Sequence, residues 1–444
     1  MTERRADLKS QLLAQARQRQ RPRAASRPET QGDAADAKAQ RVPERFTRFD
    51  AHPGHQQITM IREGAQRLGL RDPFFKVHAG NAGATSIIDD REVINFASYN
   101  YLGLSGDPRV NRAAQEAVVR YGTSVSASRM VSGERPVHRE LEKAIAATYQ
   151  VEDAVVFVSG HATNVSTLGY LLGPRDLVIH DEYIHNSSLV GAQLSGAKRM
   201  SFAHNDARAL EALLTRHRMQ FERVLVVIEG LYSMDGDVPD LPRFVEIKRR
   251  HQAWLMVDEA HSFGVLGEHG LGLREHFDVS SEDVDIWMGT LSKSLAGCGG
   301  YIAGCTSLVE TLRYLAPGFL YSVGMPAQVA APSLAALRLM QQEPERVRAL
   351  HDISRHFLER AREHGLDTGD SIGAAVVPII VGSSPLAARL SHQLFEQGIN
   401  VQPILHPAVP EKSARLRFFL SCEHTKQQVD HSINVLNDAI RHTC

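Results

Sequence analysis

The tetrad Asp258-Glu259-Ala260-His261 follows the apolar run Ala253 to Val257, and Lys293 stands 35 residues after Asp258 in the string GTLSKSLAGCGG, residues 289 to 300. A carboxylate that directly continues a buried strand is costly unless a cation or a hydrogen-bond donor meets it. An ammonium set among small residues directly after the apolar segment Val284 to Met288 raises the same difficulty. A lysine whose amine is desolvated sheds its proton readily and becomes a nucleophile, so the pair is suited to covalent chemistry on a carbonyl.

Elements that place these residues together are legible around them. The runs VVFV, LVIH, RVLVVIE, AWLMV, VDIWM and YIAG each end in polar residues, and a helical pattern usually follows. Continuous Val/Ile/Leu segments alternating with helices predict an α/β fold: a mostly parallel sheet with helices on both faces. Ligands of such sheets gather at the carboxyl ends of the strands. There the sequence puts Ser159-Gly160-His161-Ala162-Thr163-Asn164, a helix start whose free N–H groups suit a phosphate. It also puts His185 in HNSS, Ser233 and Asp235 in GLYSMDGD, and Thr290 beside Lys293. Each piece alone is an ordinary turn. DEAH also occurs in helicases, but the chain has no G-x-x-x-x-G-K-[ST] phosphate loop.

One ligand accounts for the whole set. Pyridoxal 5'-phosphate offers a phosphate for Gly160, His161 and Thr290, a pyridine nitrogen whose proton Asp258 holds, a ring for His185 to stack on, and an aldehyde with which Lys293 forms a Schiff base. As an imine, Lys293 no longer carries a free ammonium.

The ordered strings SGH, HNSS, GLYSMDGD, VDEAH and TLSK, between about Phe96 and His424, resemble the α-oxoamine synthases, fold-type I pyridoxal phosphate enzymes. The resemblance implies an acyltransferase that condenses a small α-amino acid with an acyl thioester to give an α-amino ketone. It also implies a homodimer with the cofactor at its interface. On the matching positions it makes Lys293 the Schiff-base lysine and proton shuttle, Asp258 the pyridinium partner and His185 the stacking residue. His261 becomes a donor to the cofactor's phenolic oxygen with Ser233 nearby, and Gly160, His161 and Thr290 serve the phosphate. Ser322, in LYSVG, matches a position that reaches the neighbouring subunit's phosphate. Two departures stand out: His161 replaces a frequent aromatic residue, and Val323 a usual threonine.

For the substrate carboxylate, some branches carry an arginine in an R-P-P segment, where VQPILHPAVP has Leu405 and His406. The expectation therefore falls on Arg415 in ARLR, with Arg417 as the second choice. Ser128 resembles a threonine of the glycine-specific branch, which makes alanine or serine as plausible as glycine. The stretch GNAGATSIIDDREVINFASYNYLGL resembles members that work on polyketide chains, so the acyl donor is acyl-CoA or an acyl-carrier protein. The alternative is a class I/II aminotransferase, which would share the lysine and aspartate but need no acyl donor.

Composition sets the outer limits. A net charge of −1 over 444 residues gives no electrostatic case for nucleic acid or an anionic membrane as partner. No apolar run is long enough for a membrane span, and four cysteines without a C-x-x-C pair point to no metal and to a reducing, cytoplasmic setting. The expected organisation is a disordered basic tail over 1–45, whose Leu8, Leu12 and Leu13 form a short amphipathic turn and which is expected to contact a carrier protein. An N-terminal segment over 46–100, a large cofactor domain over 101–335 and a small C-terminal α/β domain over 336–444 follow.

Overall fold

The computed structural model describes residues 42–67, 69 and 72–443, so the expectations for Leu8, Leu12, Leu13 and nearly all of the 1–45 tail lie outside the described residues. The chain divides into two compact units, one ending at Gly64 and one spanning Ala65–Cys444. In the first, short helical turns at Glu44–Phe46 and Phe49–Ala51 precede a helix, Pro53–Arg67, that continues past the boundary and buries none of its residues.

The second unit holds three sheets. It opens with β1 (Thr85–Ile88) and β2 (Arg91–Asn95), an antiparallel hairpin turned at Asp89-Asp90. Both turn residues have positive φ, 51° and 58°, as a two-residue hairpin turn demands. Seven strands form the main sheet: β3 (Asp153–Phe157), β4 (Leu177–Asp181), β5 (Lys198–Phe202), β6 (Val224–Glu229), β7 (Trp254–Asp258), β8 (Ile286–Thr290) and β9 (Gly300–Gly304). Their order is β3-β9-β8-β7-β6-β4-β5. Neighbours from β8 to β5 pair in parallel, and β9 runs antiparallel to both β3 and β8. All strands except β9 therefore point the same way, and their carboxyl ends share one edge.

The apolar runs are continuous because both faces of this sheet are covered. Along β6, Val224, Val226 and Ile228 join one buried cluster while Leu225 and Val227 join the other. The alternation is the strand period of two with helices packed on either side. Edge strand β5, with the sequence KRMSF, buries only its last residue. Lysine and arginine at an edge discourage pairing with another chain, and they also hide the strand from an apolar-run search.

Three further strands, β10 (Val376–Ile380), β11 (Ile399–Asn400) and β12 (Gln402–Ile404), precede β13 (Arg415–Phe419). β10, β13 and β12 form an antiparallel sheet, whereas β11 pairs in parallel with β2. The expected N-terminal segment is thus hydrogen-bonded to residues of the expected C-terminal domain. Among the described residues no helix is long and apolar enough to cross a membrane.

One buried charge anchors the first strand of the main sheet. Glu142, on the helix Pro136–Tyr149, is fully buried; its Oε1 lies 2.5 Å from Arg129 Nη1 and accepts the Val156 N–H at 3.0 Å, while Arg313 bonds its other oxygen. Removing the charge takes one of two carboxylate partners from buried Arg129, which keeps its two-point pair with Glu134. Glu142→Gln is expected to lower the unfolding free energy by about 2 kcal/mol, measured by denaturant titration, because the buried Arg129 and the half-buried Arg313 both lose a charged acceptor.

Candidate active site

The carboxyl edge of the main sheet collects the polar residues. β7 ends at Asp258, which is 3% exposed. Its Oδ2 accepts from Asn164 Nδ2 at 2.8 Å and its Oδ1 from the Ala260 N–H at 3.0 Å. Asn164 lies one turn into the helix Gly160–Leu171, where Ser159 caps the N-terminus by accepting from the Ala162 N–H. The same amide nitrogen reaches Ser187 Oγ at 2.9 Å, and the amide oxygen is buried without a partner among the described residues. Asn164 is one of several polar side chains on this helix, with His161, Thr163, Ser166 and Thr167, so nothing in the sequence sets it apart.

β8 ends at Thr290, and the following turn carries Lys293. Lys293 is only half-buried by surface area, but its amine is enclosed. Desolvation lowers its pKa to about 7, with Arg417 pushing the same way and Asp258 and Glu229 opposing. Its Nζ sits 5.5 Å from the centre of the Tyr99 ring. Glu229, the last residue of β6, is a second buried carboxyl group in this space; sequence reasoning missed it, although it continues an apolar run just as Asp258 does and the same signal could have found it. Burial and the neighbouring Asp258 push its pKa well above the carboxylate range.

His185 caps the helix Asn186–Ser195; its backbone N–H donates to Glu229 Oε1 at 2.6 Å, and its Nδ1 lies 2.7 Å from Ser187 Oγ. These bonds fix the ring from one side and leave it exposed on the other. His261 is buried, with Nδ1 2.8 Å from the Tyr101 hydroxyl, and burial followed by the charges of Lys293 and Arg417 drops its pKa well below the histidine range. In the tautomer whose Nδ1 accepts from the Tyr101 hydroxyl, the neutral ring carries its proton on Nε2 and is a donor there.

A close approach of backbone segments forms the cradle beside Thr290. A Cβ on Gly300 would lie 2.8 Å from the Gly160 Cα, and one on Gly160 would lie 3.0 Å from Thr290 Oγ1. Gly299, between them in the turn, has φ +146°. Thr290 Oγ1 donates to the Gly299 carbonyl at 2.9 Å, and His161 is exposed at the helix start. This is a helix N-terminus with free donors, flanked by a hydroxyl and open to solvent.

The two arginines of β13 project from the same face, two residues apart, toward the turn that follows β6. Arg415 is 4% exposed and already committed: its Nη1 bonds Asp235 Oδ1 at 2.6 Å and the Met234 carbonyl at 2.8 Å. Arg417 bonds the Ser233 carbonyl at 3.2 Å and Met234 Sδ at 3.1 Å, lies 4.4 Å over the Phe419 ring, and keeps a buried Nε without a partner among the described residues. Ser233 is thereby held against Arg417 through its carbonyl, leaving its hydroxyl free of that contact. Ser322, half-buried between exposed Tyr321 and Val323, donates to the Val323 carbonyl at 3.2 Å and lines a small pocket with Arg129, Phe157 and Val158 at the end of β3.

Pyridoxal phosphate matches this donor set. Glycines at 160 and 300 let the helix start and the start of β9 pack backbone to backbone beside Thr290, so the free N–H groups of the helix start, which suit a phosphate, lie next to the turn that carries Lys293. The braced Asp258 suits a protonated ring nitrogen, and the deprotonating environment of Lys293 suits an amine that must attack an aldehyde.

Comparison with known proteins agrees. The family model described as aminotransferase class I and II matches residues 91–436. An 8-amino-7-oxononanoate synthase of Symbiobacterium thermophilum is 40% identical over 370 residues, covering 83% of this chain and 94% of that protein. A serine palmitoyltransferase of Sphingomonas wittichii superposes with a TM-score of 0.84 at 30% identity, over 88% of this chain and 98% of the other. A serine palmitoyltransferase from S. paucimobilis, solved with bound PLP, matches equally well by TM-score, 0.84, at 28% identity over 88% of this chain and 98% of its own. The mostly parallel sheet with its smaller companions is accordingly the fold-type I architecture, and the chain belongs to the α-oxoamine synthase family of pyridoxal phosphate-dependent enzymes.

Proposed function

We propose that this protein joins a small α-amino acid (alanine, serine or glycine) to an acyl thioester of coenzyme A or a carrier protein, with loss of the amino acid's carboxylate, to give an α-amino ketone. The observation that carries this reading is the enclosed amine of Lys293, lowered to about pKa 7 beside the braced Asp258, with the charge of Arg417 on β13 near enough to act on it. Pyridoxal 5'-phosphate, when bound, supplies an aldehyde for amines and a ring that accepts electrons from the α-carbon.

The chain's own residues do the rest. Backbone N–H groups at Gly160 and His161, with the Thr290 hydroxyl, hold the phosphate against the positive end of the helix Gly160–Leu171. Asp258 keeps the ring nitrogen protonated, and its bond from Asn164 prevents it from turning away. His185, exposed on one face, would stack on the ring, and His261 and Ser233 would donate to the phenolic oxygen. Lys293, neutral at its operating pH, takes the α-proton and later returns it.

For the substrate carboxylate the geometry supports Arg417 over the expected Arg415. Asp235 satisfies Arg415, so enlisting it would require breaking an ion pair that is largely buried. Arg417 has an unused donor and faces Tyr99, Tyr101 and Lys293 electrostatically. We infer further that the chain works as a homodimer, because Tyr321 and Val323 beside Ser322, together with Met130 and Val131, are exposed apolar side chains. Gly324 lies against the stem of Arg129, bringing the two stretches side by side.

Thiol release from an acyl thioester that depends on both amino acid and pyridoxal phosphate, with a product mass equal to the α-amino ketone, is the expected outcome. Formation of a keto acid without thiol release would favour the aminotransferase reading. Arg417→Ala is expected to raise the half-saturating amino-acid concentration about 10- to 100-fold, the equivalent of ~1.5–3 kcal/mol for bonds to a charged group. Arg415→Ala is expected instead to cost roughly 2 kcal/mol of stability, read from denaturant titration, with a smaller effect on half-saturation.

A further inference from the structure

Behind the turn that carries Ser233 lies a histidine bound on both nitrogens. His204 follows β5; its Nδ1 is 2.9 Å from Asp181 Oδ1 and its Nε2 is 2.8 Å from Asp237 Oδ2. A neutral imidazole has a single N–H, so one of these carboxylates would face a lone pair; only the imidazolium satisfies both. Burial opposes the charged ring, but the hydrogen bonds and charges of Asp181 and Asp237 outweigh it and raise the pKa to about 10.

The other groups around the ring are consistent with this charge. The Glu182 carboxylate accepts the His204 backbone N–H at 2.9 Å, and Asn205 donates to Asp181 from its backbone at 2.8 Å and to Asp237 from its side chain at 2.6 Å. Tyr183 stacks on the imidazole at 4.4 Å, and Tyr232 meets it edge-on at 4.5 Å.

The two carboxylates belong to different parts of the site. Asp181 ends β4, four positions before His185. Asp237 closes the turn after β6: its carbonyl accepts the Tyr232 N–H at 3.0 Å, and the Gly236 N–H donates to the Tyr232 carbonyl at 2.8 Å. That turn packs closely on the start of β10, where a Cβ on Gly236 would lie 2.2 Å from the Val376 carbonyl, and the Gly236 carbonyl accepts the Ile372 N–H at 3.0 Å. It presents the Ser233 and Met234 carbonyls and the Asp235 carboxylate that hold Arg417 and Arg415.

We propose that His204 is a positioning residue that, as an imidazolium bridging Asp181 and Asp237, holds the 232–237 turn and through it the orientation of Arg417 toward the substrate carboxylate. The inference rests on the amino-acid condensation reading above. Among the described residues no hydrogen bond joins this cluster to Gly160, Thr290 or Asp258, which serve the cofactor's phosphate and ring nitrogen, so its loss acts mainly on the amino acid.

The test titrates full-length protein loaded with pyridoxal phosphate with alanine, serine and glycine, following the cofactor's absorbance, for wild type, His204→Ala, His204→Gln and Asp237→Asn. The expected result is half-saturation raised about tenfold in His204→Ala and in Asp237→Asn, partial recovery in His204→Gln, and pyridoxal phosphate affinity within about threefold of wild type, as for loss of one charged hydrogen bond acting through a neighbour. Should His204→Ala fail to fold, Asp237→Asn carries the same expectation. Amino-acid titrations of the folded variants that superimpose on wild type would overturn the positioning role, as would equal losses for amino acid and cofactor. No amino-acid response in wild type itself would overturn the functional reading and this inference with it.

Discussion

Two carboxyl groups, those of Asp258 and Glu229, and the amine of Lys293 share one desolvated space at the edge of the sheet, and their charges must be mutually compatible. Three full charges there would be expensive. The chain resolves the conflict by removing two of them: burial drives Glu229 toward its neutral acid, and desolvation with Arg417 nearby brings Lys293 to about pKa 7. Asp258 is the member equipped with donors from Asn164 and the Ala260 N–H. The site is thus arranged so that the lysine is a nucleophile and the aspartate a fixed acceptor, the division of roles the chemistry requires.

The fold creates this arrangement by orientation. Parallel pairing from β8 through β5 brings the ends of β4, β6, β7 and β8 to one edge, with the helix start at Gly160 alongside. Because both faces of the sheet are packed, polar side chains on these strands accumulate at the ends, where the strand leaves its apolar cover. The smaller antiparallel sheet then contributes β13, whose two arginines approach the same edge from outside the main sheet.

Much of this was readable in the sequence, and what was not had a physical reason. The buried strands betray themselves by uninterrupted Val/Ile/Leu runs, whereas β5 does not, because a charged edge strand looks like a surface loop. Lys293 and Asp258 stand out because each is a charge adjoining an apolar segment. Glu229 adjoins an apolar segment in the same way and was legible by that signal, whereas Asn164 was not, since its importance lies in a partner far along the chain, Asp258. The choice between Arg415 and Arg417 is likewise tertiary. Two arginines on the same face of a strand are equivalent until the turn after β6 assigns Asp235 to one of them.

The claim on which the rest depends is that Lys293 is the reacting amine and that enclosure keeps it ready. A lysine must lose its proton to attack an aldehyde, so the rate of pyridoxal phosphate uptake by cofactor-free protein should rise with pH and reach half its maximum where the amine is half deprotonated. The account predicts a midpoint near pH 7, set by the lowered pKa of Lys293, with borohydride reduction leaving the pyridoxyl group on that residue. A midpoint near the ordinary lysine value of about 10.4, or a pyridoxyl group found on another lysine, would contradict it.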